Sequence, residues 1–187
     1  VIDDASDDNT VEVAEEAGAK VTRQNRQQGY IAAVKRGFQV ARGDVVVTVD
    51  ADGEMPVERI PELVEPICIG EMDMVQGTRD AGVRPSERML TWLAGLVGPV
   101  GDSGTGFRAL RTSLARTLEL NGACICGVFA LEVLSKGGRI GELEITLRSI
   151  SEPRGIAWYH WKQFFYVLGW FSKRGQVKQG AYCGLVD

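Results

Sequence analysis

Val45-Val46-Val47-Thr48-Val49-Asp50-Ala51-Asp52-Gly53-Glu54-Met55-Pro56 joins a β-branched apolar run to an acidic turn. The apolar half fits a fully buried strand of a parallel sheet better than an amphipathic helix. Asp50, Asp52 and Glu54 fall where that strand runs out, and Gly53 lets the backbone turn sharply. In an open α/β sheet, ligands bind just beyond the carboxyl ends of the strands. Three carboxylates this close repel one another unless a cation sits among them. Hard oxygen ligands of this kind select Mg²⁺ or Mn²⁺, and a lightly held Mg²⁺ usually bridges to a substrate phosphate. A solvated acidic turn is the plain alternative for an isolated Asp-x-Asp.

Working outward, strand and helix patterns alternate. Val1-Ile2 looks like the tail of a strand, and with no initiator Met the expectation is that the domain's first strand is missing from this chain. Asp8, Asn9 or Thr10 is placed to cap a helix carrying Val11, Val13, Ala14 and Ala17, with Gly18 as its stop. Ala19 to Thr22 reads as a short strand, Asn25 to Gly29 as a loop, and Tyr30 to Arg42 as a helix. Pro56 suits the first turn of a helix that places Ile60, Leu63, Val64 and Ile67 on one face. Met72 to Gly77 predicts a strand ending at Thr78-Arg79, and Ile140 to Ile150 one or two closing strands after a helix that carries Glu132. This alternation predicts an α/β domain with a mainly parallel mixed sheet flanked by helices.

At 187 residues, 44% apolar and 25% charged, the chain has the make-up of one soluble globular domain. A net charge of −4 argues against nucleic acid as a partner. Cys68, Cys124, Cys126 and Cys183 form no disulfide framework, and Cys124-Ile125-Cys126 lacks the gap and second pair of a zinc motif. They read as idle or buried thiols of a reducing cytosol. No apolar run is long enough to span a bilayer.

Five motifs occur in order: Asp3-Asp4-x-Ser6-x-Asp8, Asn25-x-x-x-Gly29, Asp50-Ala51-Asp52-Gly53-x-x-Pro56, Gly77-x-Arg79, and Ser103-Gly104-x-Gly106-Phe107-Arg108. This order resembles family 2 glycosyltransferases of the GT-A fold, and within them the dolichyl-phosphate mannose and glucose synthase branch, across about Val1 to Gly155. The resemblance implies a single nucleotide-diphospho-sugar transferase domain over residues 1–155, without its first strand, followed by an aromatic and basic helical segment over 156–187. It implies an inverting, metal-dependent transfer of a hexose from a GDP- or UDP-sugar. Asp50 would face ribose and metal, Asp52 would be the main ligand, and Glu54 would assist. Asp3, Asp4, Asn25, Gly29 and Ala51 would join them around the donor, with Asp4 matching a carboxylate that contacts the base. Helix-dipole and loop chemistry is the alternative role for Asp3 and Asp4.

Arginine grips two phosphate oxygens at once and is always charged. Arg79 is the first candidate for the leaving diphosphate, and Arg154 in Glu152-Pro153-Arg154-Gly155 the second. The loop of Asp102, Ser103, Gly104 and Thr105 is rich in flexible and hydroxyl residues and suits a sugar or acceptor. Arg108 either serves the acceptor or holds that loop. Asp102 is the candidate general base, but the Glu-Asp or Asp-Asp pair and the Gln-x-x-Arg-Trp of hydroxyl-directed relatives do not appear. A phosphate acceptor is already an anion and needs no base, which favours a polyprenyl or dolichyl phosphate.

From Arg148 to Lys178 six basic residues (Arg148, Arg154, Lys162, Lys173, Arg174, Lys178) face one acid, Glu152. Trp158 to Phe171 is dense in aromatics, and His160 among them reads as structural. Trp and Tyr beside Lys and Arg suit a membrane surface; a core or dimer helix is the alternative. The expected setting is therefore the cytoplasm, at the cytoplasmic face of a membrane, with a peripheral lipid contact or a homodimer. Two rival readings remain. A haloacid-dehalogenase-like phosphatase would use Asp50 as nucleophile and Asp52 as acid and base, although Glu54 departs from its pattern. A non-catalytic GT-A relative would bind without turnover.

Overall fold

The computed structural model describes residues 1–80, 83–98, 100–148 and 157–173, with 157–159 and 173 by backbone alone. The chain separates into two compact units, Val1–Arg42 and Gly43–Asp187.

In the first unit, β1 (Ile2–Asp3) pairs in parallel with β2 (Thr22–Arg23), and the connection carries α1 (Thr10–Glu16). Asn9 occupies the cap position of α1, while Asp8 Oδ1 accepts a hydrogen bond from Thr10 N at 3.0 Å. Helix α2 (Tyr30–Val40) returns against β1, with Gly37 facing Ile2. Its start needs Gly29, whose φ of +89° lies in the left-handed region.

In the second unit, β3 (Val45–Thr48), β4 (Met74–Arg79), β5 (Arg108–Arg111) and β6 (Ile140–Ile145) form a sheet in the order β3-β5-β4-β6. Strand β5 runs antiparallel to both neighbours, and β4 and β6 are parallel. Three strands thus share one direction and the expected mixed sheet forms. One expectation is corrected: the valines of β3 are only half-buried. Among the described residues, strand β3 ends the order and pairs only with β5, so its unbroken apolar run does not signify a strand covered on both faces.

Pro56 leads into a 3₁₀ turn (Val57–Arg59) and then α3 (Ile60–Cys68). Leu63 and Ile67 of α3 are fully buried, against Val75, Ala109, Leu143 and Ile145. Those four are alternate residues of three strands, which defines one sheet face. Deleting either α3 side chain to alanine would cost about 2–5 kcal/mol. Helix α6 (Val128–Ser135) is buried from Val128 through Leu134, so it is apolar almost all round. It serves the other face, where Arg108 lies 4.6 Å from the Phe129 ring centre. Glu132 is the charged residue in that buried stretch, and it accepts from the amides of Glu119 (2.6 Å) and Leu120 (2.9 Å). Leu120 needs such a hold because its φ is +43°, unusual for a branched side chain. Helix α5 is short (Thr112–Ala115). Helices α4 (Pro85–Ala94) and α7 (Ala157–Lys173) pack on each other. Among the described residues, no helix is long and apolar enough to cross a membrane.

Asp73 ties the sheet's near end together. Its carboxylate accepts from Arg111 Nε and Arg139 Nε, each at 3.1 Å, while the same two arginines bond the carbonyls of Ile67 and Gly70. Burial pushes the Asp73 carboxyl up, but the hydrogen bonds from Arg139 and Arg111 more than reverse this and hold it below the ordinary range. A carboxyl lowered by folding contributes stability above its unfolded value, about pH 4, and loses it as pH falls through its folded value. Asp73→Asn is therefore expected to lose about 1–3 kcal/mol at pH 7. The gap to wild type should close below about pH 4 in urea unfolding followed against pH; a gap independent of pH would remove the ionic role.

Candidate active site

The acidic turn follows β3 as its sequence implies. Gly53 takes a φ of +76°, and Asp52 Oδ1 accepts from the Glu54 amide at 3.1 Å. The Glu54 carbonyl accepts from Arg148 N at 2.9 Å, which ties the turn to the chain beyond β6. Arg148 also pairs with Glu58.

The Asp50 carboxylate lies directly against Gly106, so closely that a Cβ there would overlap it. Thr48 Oγ1 donates to the Gly106 carbonyl at 2.9 Å. The acidic turn and the glycine-rich loop are thus one construction, joined where no side chain fits.

That loop is mostly buried and tied down along its length. Gly101 N donates to Glu142. Ser103 N donates to Thr91 Oγ1 at 3.1 Å, and the Ser103 and Thr91 hydroxyls bond at 2.8 Å. Thr105 Oγ1 accepts from Phe107 N at 3.1 Å. The hydroxyls that composition marks as ready for a ligand are engaged inside the protein. Arg108 is buried at the start of β5 and donates to the Ser103 carbonyl at 3.0 Å, in keeping with the loop-holding alternative.

Arg79 ends β4 with its side chain only 12% exposed. Its Nε and Nη2 grip both oxygens of Asp102 at 2.6 and 3.0 Å, and Nη2 also reaches Glu87 at 3.0 Å. Asp102 is buried and also accepts from Gly104 N at 3.0 Å. Burial alone would favour proton loss from Arg79, but Asp102 and then Glu87 raise it above the ordinary arginine value, so it is a permanent cation. Glu87 was not among the sequence candidates. Its signal is local: Pro85 opens α4, Glu87 stands two residues on, and its carboxylate accepts from Arg84 N at 3.3 Å. Glu142, likewise missed, anchors Gln76, Thr78 and Gly101 from β6.

In the first unit, Asp3 is buried and accepts from Ser6 N at 3.3 Å, with Arg23 at the same distance. Asp4 accepts from Gln24 Nε2 and Gln28 N at 2.8 Å and from Gly29 N at 2.7 Å. Asp4 and Gly29 are thus brought together, and Asn25 lies exposed in the loop between them. Ala51 is exposed in the acidic turn. Arg154 lies outside the described residues, as do Cys183 and the basic residues beyond Lys173.

The donor set at the turn fits Mg²⁺ or Mn²⁺, since every ligand is a hard oxygen. Among the described residues, Asp50, Asp52 and Glu54 do not gather as three ligand atoms within 4.8 Å of one another. An open arrangement suits an ion that keeps waters and completes its shell with substrate phosphates. A cavity of about 390 Å³ lies beside the loop, lined by Thr91, Trp92, Leu96, Val100, Gly101 and Glu142 among others.

The architecture is that of the GT-A nucleotide-diphospho-sugar transferases. Glucosyl-3-phosphoglycerate synthase from Mycobacterium tuberculosis, in complex with phosphoglyceric acid, superposes with a TM-score of 0.69 at 21% identity, over 90% of this chain and 67% of that one. The same enzyme in complex with Mn²⁺ and UDP-glucose superposes at 0.67, with 21% identity over 90% and 65% of the two chains. The family model for glycosyl transferase family 2 matches residues 1–132, and the chain belongs to that family. Dolichol-phosphate mannosyltransferase of Pyrococcus furiosus is 30% identical across 99% of this chain and 59% of its own length. Dolichyl-phosphate hexose transferase of Haloferax volcanii is 35% identical over 62% of this chain and 54% of its own. The chain therefore spans a little over half of these relatives. Membership in this family displaces the phosphatase reading of Asp50 and Asp52.

Proposed function

We propose that this chain carries the donor-handling site of a glycosyltransferase that moves a hexose from a GDP- or UDP-sugar to a polyprenyl phosphate. The observation that supports it most is the joint between Asp50 and Gly106. It sets the Asp50 carboxylate, just past β3, against a loop tied down along its length. Asp52 is the proposed main ligand, with Asp50 and Glu54 assisting. A divalent ion there would neutralise the diphosphate as it leaves. The names of the two relatives, a dolichol-phosphate mannosyltransferase and a dolichyl-phosphate hexose transferase, support the acceptor class.

The acceptor chemistry follows from Asp102. Its oxygens are engaged by Arg79 and Gly104, so it is poorly placed to take a proton from a hydroxyl. A phosphate acceptor is a nucleophile without such help. Arg79, Asp102 and Glu87 act in this reading as positioning residues for the loop, and the metal supplies the charge that meets the diphosphate. Trp92 of α4, Leu96 in the turn after it, and Trp161, Phe165 and Leu168 of α7 are exposed apolar residues suited to rest on a lipid surface that presents the acceptor.

The test is turnover of GDP-mannose and UDP-glucose with dolichyl phosphate in anionic vesicles and Mn²⁺. The reading predicts release of one nucleoside diphosphate per lipid-linked sugar. Binding of donor without any turnover would favour the non-catalytic relative.

A further inference from the structure

Among the described residues, one cluster of reactive side chains has no part in the transfer chemistry. Cys124 and Cys126 precede α6, and His160 lies on α7. Their two sulfurs and an imidazole nitrogen all fall within 4.8 Å of one another. Cys126 Sγ stands 3.7 Å from His160 Nε2. A tetrahedral zinc with bonds of about 2.3 Å to sulfur and 2.0 Å to nitrogen requires a sulfur–nitrogen separation of about 3.5 Å. The pair is thus already at ligand spacing.

The surroundings are those of a built site. His160 Nδ1 lies 2.8 Å from Ser86 Oγ, an outer contact that orients the ring and leaves Nε2 for the sulfur side. Gln163, one turn further along α7 and fully buried, grips the cysteine loop by its backbone. Its Oε1 accepts from Ala123 N (2.9 Å) and Cys124 N (3.2 Å), and its Nε2 donates to the Cys126 carbonyl (3.1 Å). Cys126 and His160 are buried and Cys124 is half-buried.

We propose that Cys124, Cys126 and His160 bind one zinc ion, which clips α7 to the loop ahead of α6. Binding forms two thiolate–zinc bonds and one imidazole–zinc bond, and the two thiol protons pass to solvent. Water completes the tetrahedron. Soft thiolates with imidazole select zinc over the hard cation of the acidic turn, so the two metals do not compete. Because α7 packs on α4, and Ser86 precedes Glu87 in α4, the clip would also steady the helix that holds Arg79.

The test is titration of the purified, reduced protein with Co²⁺ and then Zn²⁺. Expected is thiolate-to-cobalt charge-transfer absorption that saturates at one Co²⁺ per chain and is abolished by one Zn²⁺. Asp52→Ala should keep that signal, whereas Cys124→Ser and His160→Ala should lose it. Ser86→Ala, which keeps all three ligands, should weaken zinc binding roughly 10–100-fold. Absence of the signal in the wild-type protein would overturn the proposal whatever the variants do. So would its persistence in Cys124→Ser.

Discussion

Gly106→Ala is expected to lower turnover roughly 100-fold, the scale of loss that about 1 Å of misplacement at a reacting group produces. The added Cβ has no room, because the Asp50 carboxylate occupies its place. Either Asp50 swings out of position or β3 and β5 part near their paired residues Thr48 and Arg108. Both outcomes move the carboxylate proposed to assist the metal. The loss should fall on Mn²⁺-dependent donor binding as well as on rate, while far-ultraviolet dichroism stays that of the wild type. Full activity in Gly106→Ala would mean that Asp50 does not need this placement.

Arg79→Met carries the second large effect. It strands two buried carboxylates, Asp102 and Glu87, without their shared cation. Removing one partner of a buried ionic group typically costs about 3–5 kcal/mol. Arg79→Lys should rescue little, because a point charge cannot reproduce the two-pronged grip on Asp102. The combined variant Arg79→Met, Asp102→Asn, Glu87→Gln removes the stranded charges and should regain most of the stability in urea unfolding. Its activity then separates two roles. Recovery of turnover with stability makes Arg79 a positioning residue, as proposed; stability without turnover would give the guanidinium a direct part in handling the diphosphate.

The part of this account legible in the sequence is the part that depends on local pattern. A β-branched run meeting Asp50-Ala51-Asp52-Gly53 announces a strand and an acidic turn, and Pro56 announces the helix that follows. Strand β5 left no such mark, since Arg108-Ala109-Leu110-Arg111 is short and begins and ends in charge. Its antiparallel entry between β3 and β4 is a matter of tertiary pairing. The character of the 101–107 loop was also hidden. Glycine and serine look alike whether they await a ligand or are engaged by Thr91 and Glu142. Arg79, Glu87 and Asp102 meet across 8 and 23 positions of chain, a spacing that follows no helix or strand period. Cys124 and Cys126 lack a zinc motif in sequence because the third ligand, His160, lies 34 residues beyond Cys126 on another helix.

The central claim is that the turn after β3 holds a divalent ion on a nucleotide diphosphate. Calorimetric titration of UDP and GDP, each with and without Mn²⁺, on the full-length wild type and Asp52→Ala tests it most directly. The account predicts that one nucleotide binds only with Mn²⁺, and that Asp52→Ala weakens it by roughly 100-fold, about 3 kcal/mol. Binding that is indifferent to Mn²⁺, or undiminished in Asp52→Ala, would contradict it.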